Sequence, residues 1–270
     1  MGHKTNLSAN KEITGYKPIY APIESISGVW RFVRPAGHRV HTHSLPDHLL
    51  QFVLSGSYAI RINNRQYQVT AGDVIYFYAN EDVQWLQNPQ EVIFYSVGFR
   101  SIVFRPLPID QRIFASTPTI RQAFEHLYEA SNLPRNSNEF ALGTYTALSK
   151  ILLEIQQTRQ PTEAVNVRIQ SWWELEKRSR SEHRFRPGLD ELAELCYTSR
   201  ATIVRLCRQA TGISPMKRIR QIRMEEAKGQ LAYYPMNITE IARHLGYDRI
   251  HEFSREFGAY YGLPPSQYRK

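Results

Sequence analysis

Residues 238–247 read Ile-Thr-Glu-Ile-Ala-Arg-His-Leu-Gly-Tyr, and residues 252–257 read Glu-Phe-Ser-Arg-Glu-Phe. In the first stretch, apolar side chains recur at the three- and four-residue spacing of a helix that buries one face. Gly246 then stands where a chain leaving a helix needs a left-handed residue. Phe253 and Phe257 provide the core face of a following helix. The pattern predicts a short helix, a tight turn and a second helix.

The same design occurs about 50 positions earlier in the chain. Residues 189–193, Leu-Asp-Glu-Leu-Ala, align with residues 238–242, and Gly-Ile-Ser-Pro at 212–215 aligns with Gly-Leu-Pro-Pro at 262–265. Two copies are too few for a solenoid of stacked repeats. We therefore predict two tandem helix-turn-helix units, joined by a longer helix over about residues 215–232.

Capping residues indicate where the helices of both units begin. Asn237 with Glu240 three positions later is the pattern of a reciprocal cap. We expect Asp248 to cap the second helix of that unit. In the first unit, Gly188 and Ser199 occupy the corresponding cap positions.

In a helix-turn-helix unit, the second helix enters the major groove and its outward residues reach base edges. Arginine can bond guanine, and small apolar side chains can meet the thymine methyl group. The candidate DNA-contacting residues are Ser199, Arg200, Ala201, Thr202, Val204, Arg205 and Arg208 in the first unit and Arg249, Ile250, His251, Ser254 and Arg255 in the second. We expect Arg208, Lys217 and Arg218 to contact phosphates.

The charge distribution favours the same partner. The chain has 270 residues and a net charge of +9. Residues 166–270 hold 19 Lys and Arg against 12 Asp and Glu, so most of the excess lies in the helical part. A basic domain of this kind favours a polyanion such as double-stranded DNA.

The N-terminal part follows a different pattern. Segments rich in β-branched and aromatic residues are typical of strands, and they lie at 49–54, 58–62, 65–69, 74–78 and 92–99. Many short strands in succession predict an antiparallel barrel or sandwich, over about residues 20–105. Apolar spacing then predicts helices at about 119–132 and 139–157. The fold class is therefore α+β and multidomain: a first domain over 1–157, a linker over 158–165 and an all-α domain over 166–270.

Composition excludes several classes of protein. No apolar run approaches the roughly 18 residues of a membrane span, and the N-terminus lacks the apolar core of a signal peptide. Two isolated cysteines, Cys196 and Cys207, read as small core residues and not as a disulfide framework or a metal site. We expect a cytoplasmic protein that does not contact a membrane.

The C-terminal part resembles the AraC/XylS-type transcription regulators. The matching segments are 199–205, 212–215, 238–247, 252–257 and 262–269. The resemblance implies a sequence-specific transcription regulator, more often an activator, that acts as a homodimer and meets RNA polymerase. Tyr197 departs from the family pattern, which usually has Gly there, and a left-handed non-Gly residue costs about 1–2 kcal/mol. Ala201 and Val204 are apolar where many family members have polar base readers.

The N-terminal part resembles the cupin-type (jelly-roll) sensor barrel that often precedes this DNA-binding domain. The segments that carry the resemblance are 34–37, 45–56 and 67–74. A small barrel can hold one ligand, and the resemblance implies a small-molecule effector, a sugar being one candidate. The candidate effector-binding residues are Arg34, His41, His43, Trp85, Phe94 and Ser96.

Two alternatives stay open at this stage. His41 and His43 resemble the first half of a metal-binding cupin motif, which would make the barrel a metal-dependent enzyme. The second half of that motif usually supplies another histidine, and residues 79–84, Ala-Asn-Glu-Asp-Val-Gln, contain none. We therefore expect no metal, no cofactor and no catalysis. The other alternative is a regulator that binds DNA without an effector.

Overall fold

A computed structural model of the chain describes residues 21–45, 48–79, 81–101, 104, 107–158, 163–233 and 236–268. Two sheets and two helices make up the part that ends at residue 158, and helices alone make up the part from residue 163 onward. After the roles that the sequence predicts for them, we call the first part the sensor domain and the second part the DNA-binding domain.

All strand pairs within the two sheets of the sensor domain are antiparallel. In spatial order, the five-stranded sheet contains β1 (Ser25–Arg34), β8 (Val92–Arg100), β3 (His48–Ser55), β6 (Asp73–Phe77) and β9 (Ile113–Ala115). The four-stranded sheet contains β2 (His41–His43), β7 (Asp82–Gln87), β4 (Ser57–Ile62) and β5 (Arg65–Thr70).

The predicted α+β fold class, with an antiparallel N-terminal part, is confirmed, and of the predicted barrel or sandwich the two sheets form the sandwich. In the described residues, no backbone ladder joins one sheet to the other, so the domain is a two-sheet sandwich. The edge strands β2 and β9 have only three residues each, too few for long closing ladders. The sequence also did not predict β1, β7 and β9 as strands.

The five-stranded sheet separates two apolar cores because successive side chains in a strand point to opposite faces. Leu50, Phe52 and Val97 pack with the helices that follow the sheets. Val53 and Phe94 pack with the inner face of the other sheet. The space between the two sheets holds the cavity described below.

The two helices predicted after the strands are present within one residue of the expected bounds. They are α1 (Pro118–Ser131), whose N-cap Thr117 accepts a hydrogen bond from the backbone of Ile120, and α2 (Asn138–Thr158). The next helix, α3 (Glu163–Ser181), begins inside the linker predicted at 158–165. Of that linker, residues 159–162 lie outside the described part of the chain.

The DNA-binding domain contains the two predicted helix-turn-helix units. After α3 come α4 (Leu189–Leu195), α5 (Arg200–Thr211), α6 (Pro215–Tyr233), α7 (Ile238–His244), α8 (Ile250–Tyr261) and α9 (Pro265–Tyr268). The units are α4 with α5 and α7 with α8, and α6 joins them. One apolar core runs through both units, with Leu206, Ile222, Phe253 and Phe257 among its buried residues.

Two of the predicted side-chain caps are confirmed and a third is wrong. Asn237 and Glu240 form a complete capping box, and Ser199 accepts a hydrogen bond from the backbone of Thr202. Asp248 does not cap α8, because the helix begins at Ile250. The cap position therefore passes to Arg249, whose side chain makes no capping bond.

The tight turns of the two units use the same backbone geometry with different residues. Gly246 has φ 80° and Tyr197 has φ 50°, so both lie in the left-handed region. At each turn one amide bonds three residues back and the next bonds five back, as in Tyr197 to Glu194 and Thr198 to Ala193. The Tyr197 side chain is 96% exposed, so no packing offsets the strain of its backbone.

Candidate DNA-reading helices and effector cavity

The first candidate reading helix, α5, begins with residues that fix its N-terminus. The Ser199 hydroxyl accepts the Thr202 amide at 3.2 Å and also contacts the Thr202 hydroxyl at 3.0 Å. Arg200 forms an exposed ion pair with Asp190 of α4. These three candidates therefore have local structural partners.

The outward face of α5 carries the remaining candidates of the first unit. Ala201, Arg205 and Arg208 are exposed, and Val204 is half-buried. The two arginines form no ion pair with a carboxylate in the described ranges. Two free guanidinium groups on one helix face can bind phosphates or guanine edges.

The second candidate reading helix, α8, presents its candidates in the same way. Arg249, His251 and Arg255 are exposed, and Ile250 and Ser254 are half-buried. Within the described residues, neither Arg249 nor Arg255 is paired with a carboxylate. The exposed face of α8 therefore carries free positive charge.

Arg186, which the sequence analysis missed, braces the start of α8. Its guanidinium lies 4.7 Å from the ring centre of Tyr247 and bonds Glu252 at 2.7 Å. It also donates to the carbonyl of Gly246 at 3.2 Å. The side chain thus ties the turn to the reading helix, a role that no local sequence pattern reveals.

The expectation that Arg218 contacts phosphate is wrong. Its side chain is fully buried and donates two hydrogen bonds to Glu176 of α3, at 2.8 and 3.0 Å. The helix α6 turns that face inward, where an unpaired charge would be costly and a paired one is tolerated. The neighbouring Lys217 is exposed, as expected of a phosphate contact.

The outward face of α5 lies beside the sensor domain. Ala201, Val204, Arg205 and Arg208 line a groove whose other side is formed by Arg65 and residues 108–111. Duplex DNA needs access to this face if α5 is to enter its major groove. In this arrangement the first reading helix shares its face with the sensor domain.

Buried polar groups join the two domains at the C-terminus of α5. Arg112 bonds Glu81 at 3.0 Å and donates to the carbonyl of Ala210 at 3.3 Å. Asn63 donates to the carbonyl of Thr211 at 2.7 Å. Both side chains donate hydrogen bonds to the terminal carbonyls of the helix. The positive charge of Arg112 also interacts favourably with the negative end of the helix dipole.

A second set of bonds crosses the same junction from α6. Arg218 donates to the carbonyl of Ala79 at 2.8 Å, and Gln221 donates to the Asn63 side chain at 3.1 Å. Burial raises the pKa of the Glu81 carboxyl, while the charge of Arg112 opposes that shift. Every one of these side chains is buried, so water does not screen the contacts.

The predicted effector site corresponds to a cavity of about 500 Å³ between the two sheets. Five of the six candidates line it: Arg34, His43, Trp85, Phe94 and Ser96. Its volume suits a ligand with roughly the size of a small metabolite. Phe94 and Ser96 lie two positions apart on β8 and share its face toward the space between the sheets, as their strand pattern predicts.

His41, which we expected at the effector site together with His43, does not line this cavity. Its imidazole lies 2.5 Å from the carboxylate of Asp82, beside a shallower cleft. Thr42 and His43, at the cavity mouth, line it instead. In the part of the chain that the structure describes, no three His, Cys, Asp or Glu residues group as metal ligands.

Aromatic rings from both sheets form the cavity walls. Trp85 stacks against Tyr58 with ring centres 4.0 Å apart and an interplanar angle of 4°. Phe32 and Phe94, on neighbouring strands, have centres 5.3 Å apart. Packed rings of this kind hold a pre-formed slot for an apolar ligand.

His43 connects the cavity to the second reading helix. It lines the cavity and stacks on Tyr260 of α8, with ring centres 4.8 Å apart, and Tyr261 meets it edge-on. Burial is the main cause that lowers the pKa of His43, so the ring is neutral near pH 7. A ligand that moves His43 would also move a contact of α8.

Two family models match the chain along most of its length. Residues 29–152 match an AraC-like ligand-binding domain, and residues 192–270 match a helix-turn-helix domain. The chain belongs to the AraC family of transcription regulators. In the described residues, none of its helices is both long and apolar enough to cross a membrane.

Relatives among known proteins include an uncharacterized HTH-type transcriptional regulator of Haemophilus influenzae. It is 37% identical over 82 residues, which cover 30% of this chain and 28% of that protein. The MmsAB operon regulatory protein of Pseudomonas aeruginosa is 24% identical over 263 residues, covering 88% of this chain and 80% of that protein.

Solved structures similar to this AraC-family chain include ToxT from Vibrio cholerae. The TM-score is 0.52 at 13% identity, over 89% of this chain and 96% of ToxT. ToxT has also been solved bound to an unsaturated fatty acid, with a TM-score of 0.50 to this chain at 12% identity, over 92% of this chain and 96% of that one. At this identity the similarity concerns the fold alone.

Proposed function

We propose that this AraC-family regulator reads a specific DNA sequence with α5 and α8, and that a small molecule in the sensor cavity controls the reading. The observation that carries the proposal is the duplicated helix-turn-helix unit, whose two second helices and their caps carry four exposed arginines that pair with no carboxylate among the described residues: Arg205, Arg208, Arg249 and Arg255.

The two helices are proposed to read DNA in different ways. On α8, Arg249, His251 and Arg255 offer hydrogen-bond donors to base edges or phosphates. On α5, Ala201 and Val204 offer apolar contact to thymine methyl groups, with Arg205 and Arg208 beside them. Sequence preference from α5 then depends more on shape and apolar contact than on hydrogen bonds.

Effector control is proposed to act through the placement of the domains. The sensor domain occupies one side of the groove along α5, so an effector that favours a different placement would make this face accessible. A ligand shifts such an equilibrium only by its difference in affinity for the two placements. His43, shared between the cavity and α8, is the residue through which that difference would arise.

The effector and partners follow from the same reasoning. A carbohydrate is one candidate ligand, since the tryptophan faces could stack against a sugar ring. A homodimer, contact with RNA polymerase and a cytoplasmic location are expected of such a regulator. Leu142 and Leu153 on α2, 68% and 58% exposed, favour a helix pair between subunits. The proposed role requires no catalysis.

Selection of bound fragments from random duplex DNA tests the proposal. The full chain should enrich one sequence pattern with two half-sites about one helical turn apart, ~34 Å. Its affinity should fall steeply with salt, because bound phosphates release counterions. If the chain binds random competitor DNA as tightly as any selected fragment, the proposal is contradicted. Repeating the selection with candidate metabolites separates effector control from constitutive binding.

A further inference from the structure

The sensor cavity has an unbalanced charge. Its described lining includes Arg34, His38 and His43 and contains no aspartate or glutamate. Burial, and then the charge of Arg34, lowers the pKa of His38, so that imidazole stays neutral near pH 7. Arg34 is therefore the fixed cation of the cavity.

Arg34 is held in place but has no counterion among the residues that the structure describes. Its guanidinium lies 4.6 Å from the ring centre of Phe32, which fixes its plane against the cavity wall. Among the described residues, no carboxylate forms an ion pair with it. A stacked guanidinium still presents its N–H edge, which matches the two oxygens of a carboxylate.

The opposite end of the cavity has an unsatisfied acceptor. The Oε1 atom of Gln51 is buried and has no hydrogen-bond partner within the described part of the chain. Gln51 pairs across the sheet with Ser96, which also lines the cavity and is buried. A buried carbonyl without a donor is rare in folded proteins, so this atom marks a place for a ligand hydroxyl or amine.

The strand register sets the separation of these two polar ends. Gln51, Ser96 and Trp30 form one row across β3, β8 and β1, and Arg34 lies four residues further along β1. At about 3.3 Å per residue and 4.8 Å per strand, the Cα atoms of Gln51 and Arg34 are about 16 Å apart. Both side chains extend into the cavity, which leaves space for one aromatic ring with a short acid side chain.

The walls between the two ends are aromatic. Trp30, Phe32 and Phe94 belong to one sheet and Trp85 to the other, and the ring centres of Trp85 and Phe94 are 5.9 Å apart. These rings contact one another and form a wall with fixed positions, against which a flat apolar ligand can pack.

We propose that the cavity binds an aromatic carboxylate with a hydrogen-bond donor at the far end of the molecule. Arg34 binds the carboxylate, the rings enclose the aromatic body, and Gln51 with Ser96 binds the donor. This inference rests on the proposed function, in which the cavity holds the effector, and it specifies the ligand class.

A neutral sugar fits these features less well. It would leave Arg34 without a counterion, and most of its hydroxyl groups would face apolar walls. Each buried hydroxyl without a partner weakens binding. Between Arg34 and the Gln51–Ser96 pair the lining includes the rings of Trp30, Phe32, Trp85 and Phe94, whereas the hydroxyls of a sugar surround its whole ring.

Calorimetric and thermal-shift titration of the full chain tests the ligand class with matched probes. The first probes are para-hydroxyphenylacetate and para-hydroxyphenylpropionate. The controls are para-hydroxyphenylacetamide, which lacks the charge, phenylacetate, which lacks the donor, and the sugars arabinose and glucose. We expect at least one hydroxylated acid to bind saturably and to raise the Tm of the protein. The amide should bind about tenfold or more weakly, and the sugars should not bind.

Two variants assign the ends of the ligand. Arg34→Gln should reduce the affinity for the acid to that for the amide. Arg31→Gln, an exposed position on the same strand and outside the cavity lining, is the matched control and should bind like the parent. Gln51→Leu should remove the preference for the hydroxylated acid over phenylacetate. Because that variant loses an unsatisfied buried acceptor, its ligand-free Tm should not fall, so misfolding cannot explain the change.

Three results would overturn the inference. They are no binding of either hydroxylated acid, equal binding of acid and amide, or equal affinities of Arg34→Gln and Arg31→Gln for the acid. The DNA selection is done without any of these probes and therefore tests the proposed function separately. If the selection succeeds and one of these three results is obtained, the ligand class is wrong and the proposed function still stands.

Discussion

Arg112 of the sensor domain donates a hydrogen bond to the backbone carbonyl of Ala210, in the last turn of the first reading helix. The same guanidinium bonds Glu81, and both side chains are at most 1% exposed. One buried arginine thus bonds both a carboxylate of the sensor domain and a backbone carbonyl at the C-terminal end of α5. The stability of the whole chain should respond to it.

Replacing Arg112 with Met should destabilise the chain by about 3–5 kcal/mol, because Glu81 would remain buried without its partner. The double variant Arg112→Met with Glu81→Leu should lose less than the single variant, since it leaves no orphan charge. Urea unfolding followed by circular dichroism measures both. Losses that simply add in the double variant would show that the pair is not coupled.

Arg255 should contribute to DNA reading on α8. Arg255→Ala should weaken binding to a selected duplex by about 1–3 kcal/mol and relax the preference at one base pair. Fluorescence anisotropy with single-base variants of the site measures this. The exposed Arg121 on α1 offers a control, and Arg121→Ala should leave affinity unchanged. An equal loss on all sequences would assign Arg255 to phosphate.

The turn at Tyr197 should be improved by glycine. Tyr197→Gly removes left-handed strain of about 1–2 kcal/mol but adds unfolded-state entropy, so we expect a gain of about 1 kcal/mol. The equivalent position of the second unit gives the reverse test, and Gly246→Ala should destabilise by a similar amount. Thermal unfolding of the two variants measures the sign of each change in stability. A destabilised Tyr197→Gly would mean that the exposed ring makes a contact that stabilises the turn.

Stability should fall on acidification partly through Glu256. Burial opposes ionisation of this carboxyl, but hydrogen bonds from Tyr247 and Arg223 and the charges of Arg223 and Arg220 outweigh it and lower its pKa. A lowered folded-state pKa stabilises above the unfolded value, about 4.3, and this contribution is lost as pH falls through the folded value.

The stability difference between the parent and Glu256→Gln should therefore be largest near pH 7 and shrink steadily below about pH 5. Urea unfolding at a series of pH values measures this difference. Glu125→Gln on the exposed face of α1 is the matched control and should leave the stability near pH 7 within about 0.5 kcal/mol of the parent. A constant gap between the parent and Glu256→Gln would show that the contribution of Glu256 does not depend on its ionisation.

The helix-turn-helix units could be predicted from sequence because their signals are local. Asn237 and Glu240 are three residues apart, and the turn at Gly246 depends on one residue's backbone freedom. Of the cavity residues, Phe94 and Ser96 followed from alternation along one strand, whereas Arg34 and Trp85 were chosen for their places beside turns and from the family resemblance; the expectation for His41 failed. That residue sits at the edge of a three-residue strand, and its bond to Asp82, 41 positions away, decides its direction.

The junction between the domains could not be predicted in the same way. Arg112 meets a carbonyl 98 positions away, and Arg218 meets one 139 positions away. On sequence alone, Arg218 lies in a basic stretch that reads as a phosphate contact. Only the packing of α6 on α3 shows that Glu176 neutralises it inside the protein.

The four buried charges at the junction are distributed in a way that suits a hinged molecule. Glu81 and Arg112 both belong to the sensor domain, and Glu176 and Arg218 both belong to the DNA-binding domain. Parting the domains would leave both described ion pairs whole, and the hydrogen bonds that these arginines make across the junction have neutral carbonyl acceptors, Ala79 and Ala210, which solvent can replace. Each domain would keep both members of its own ion pair. The domains can therefore separate without leaving a buried charge unpaired.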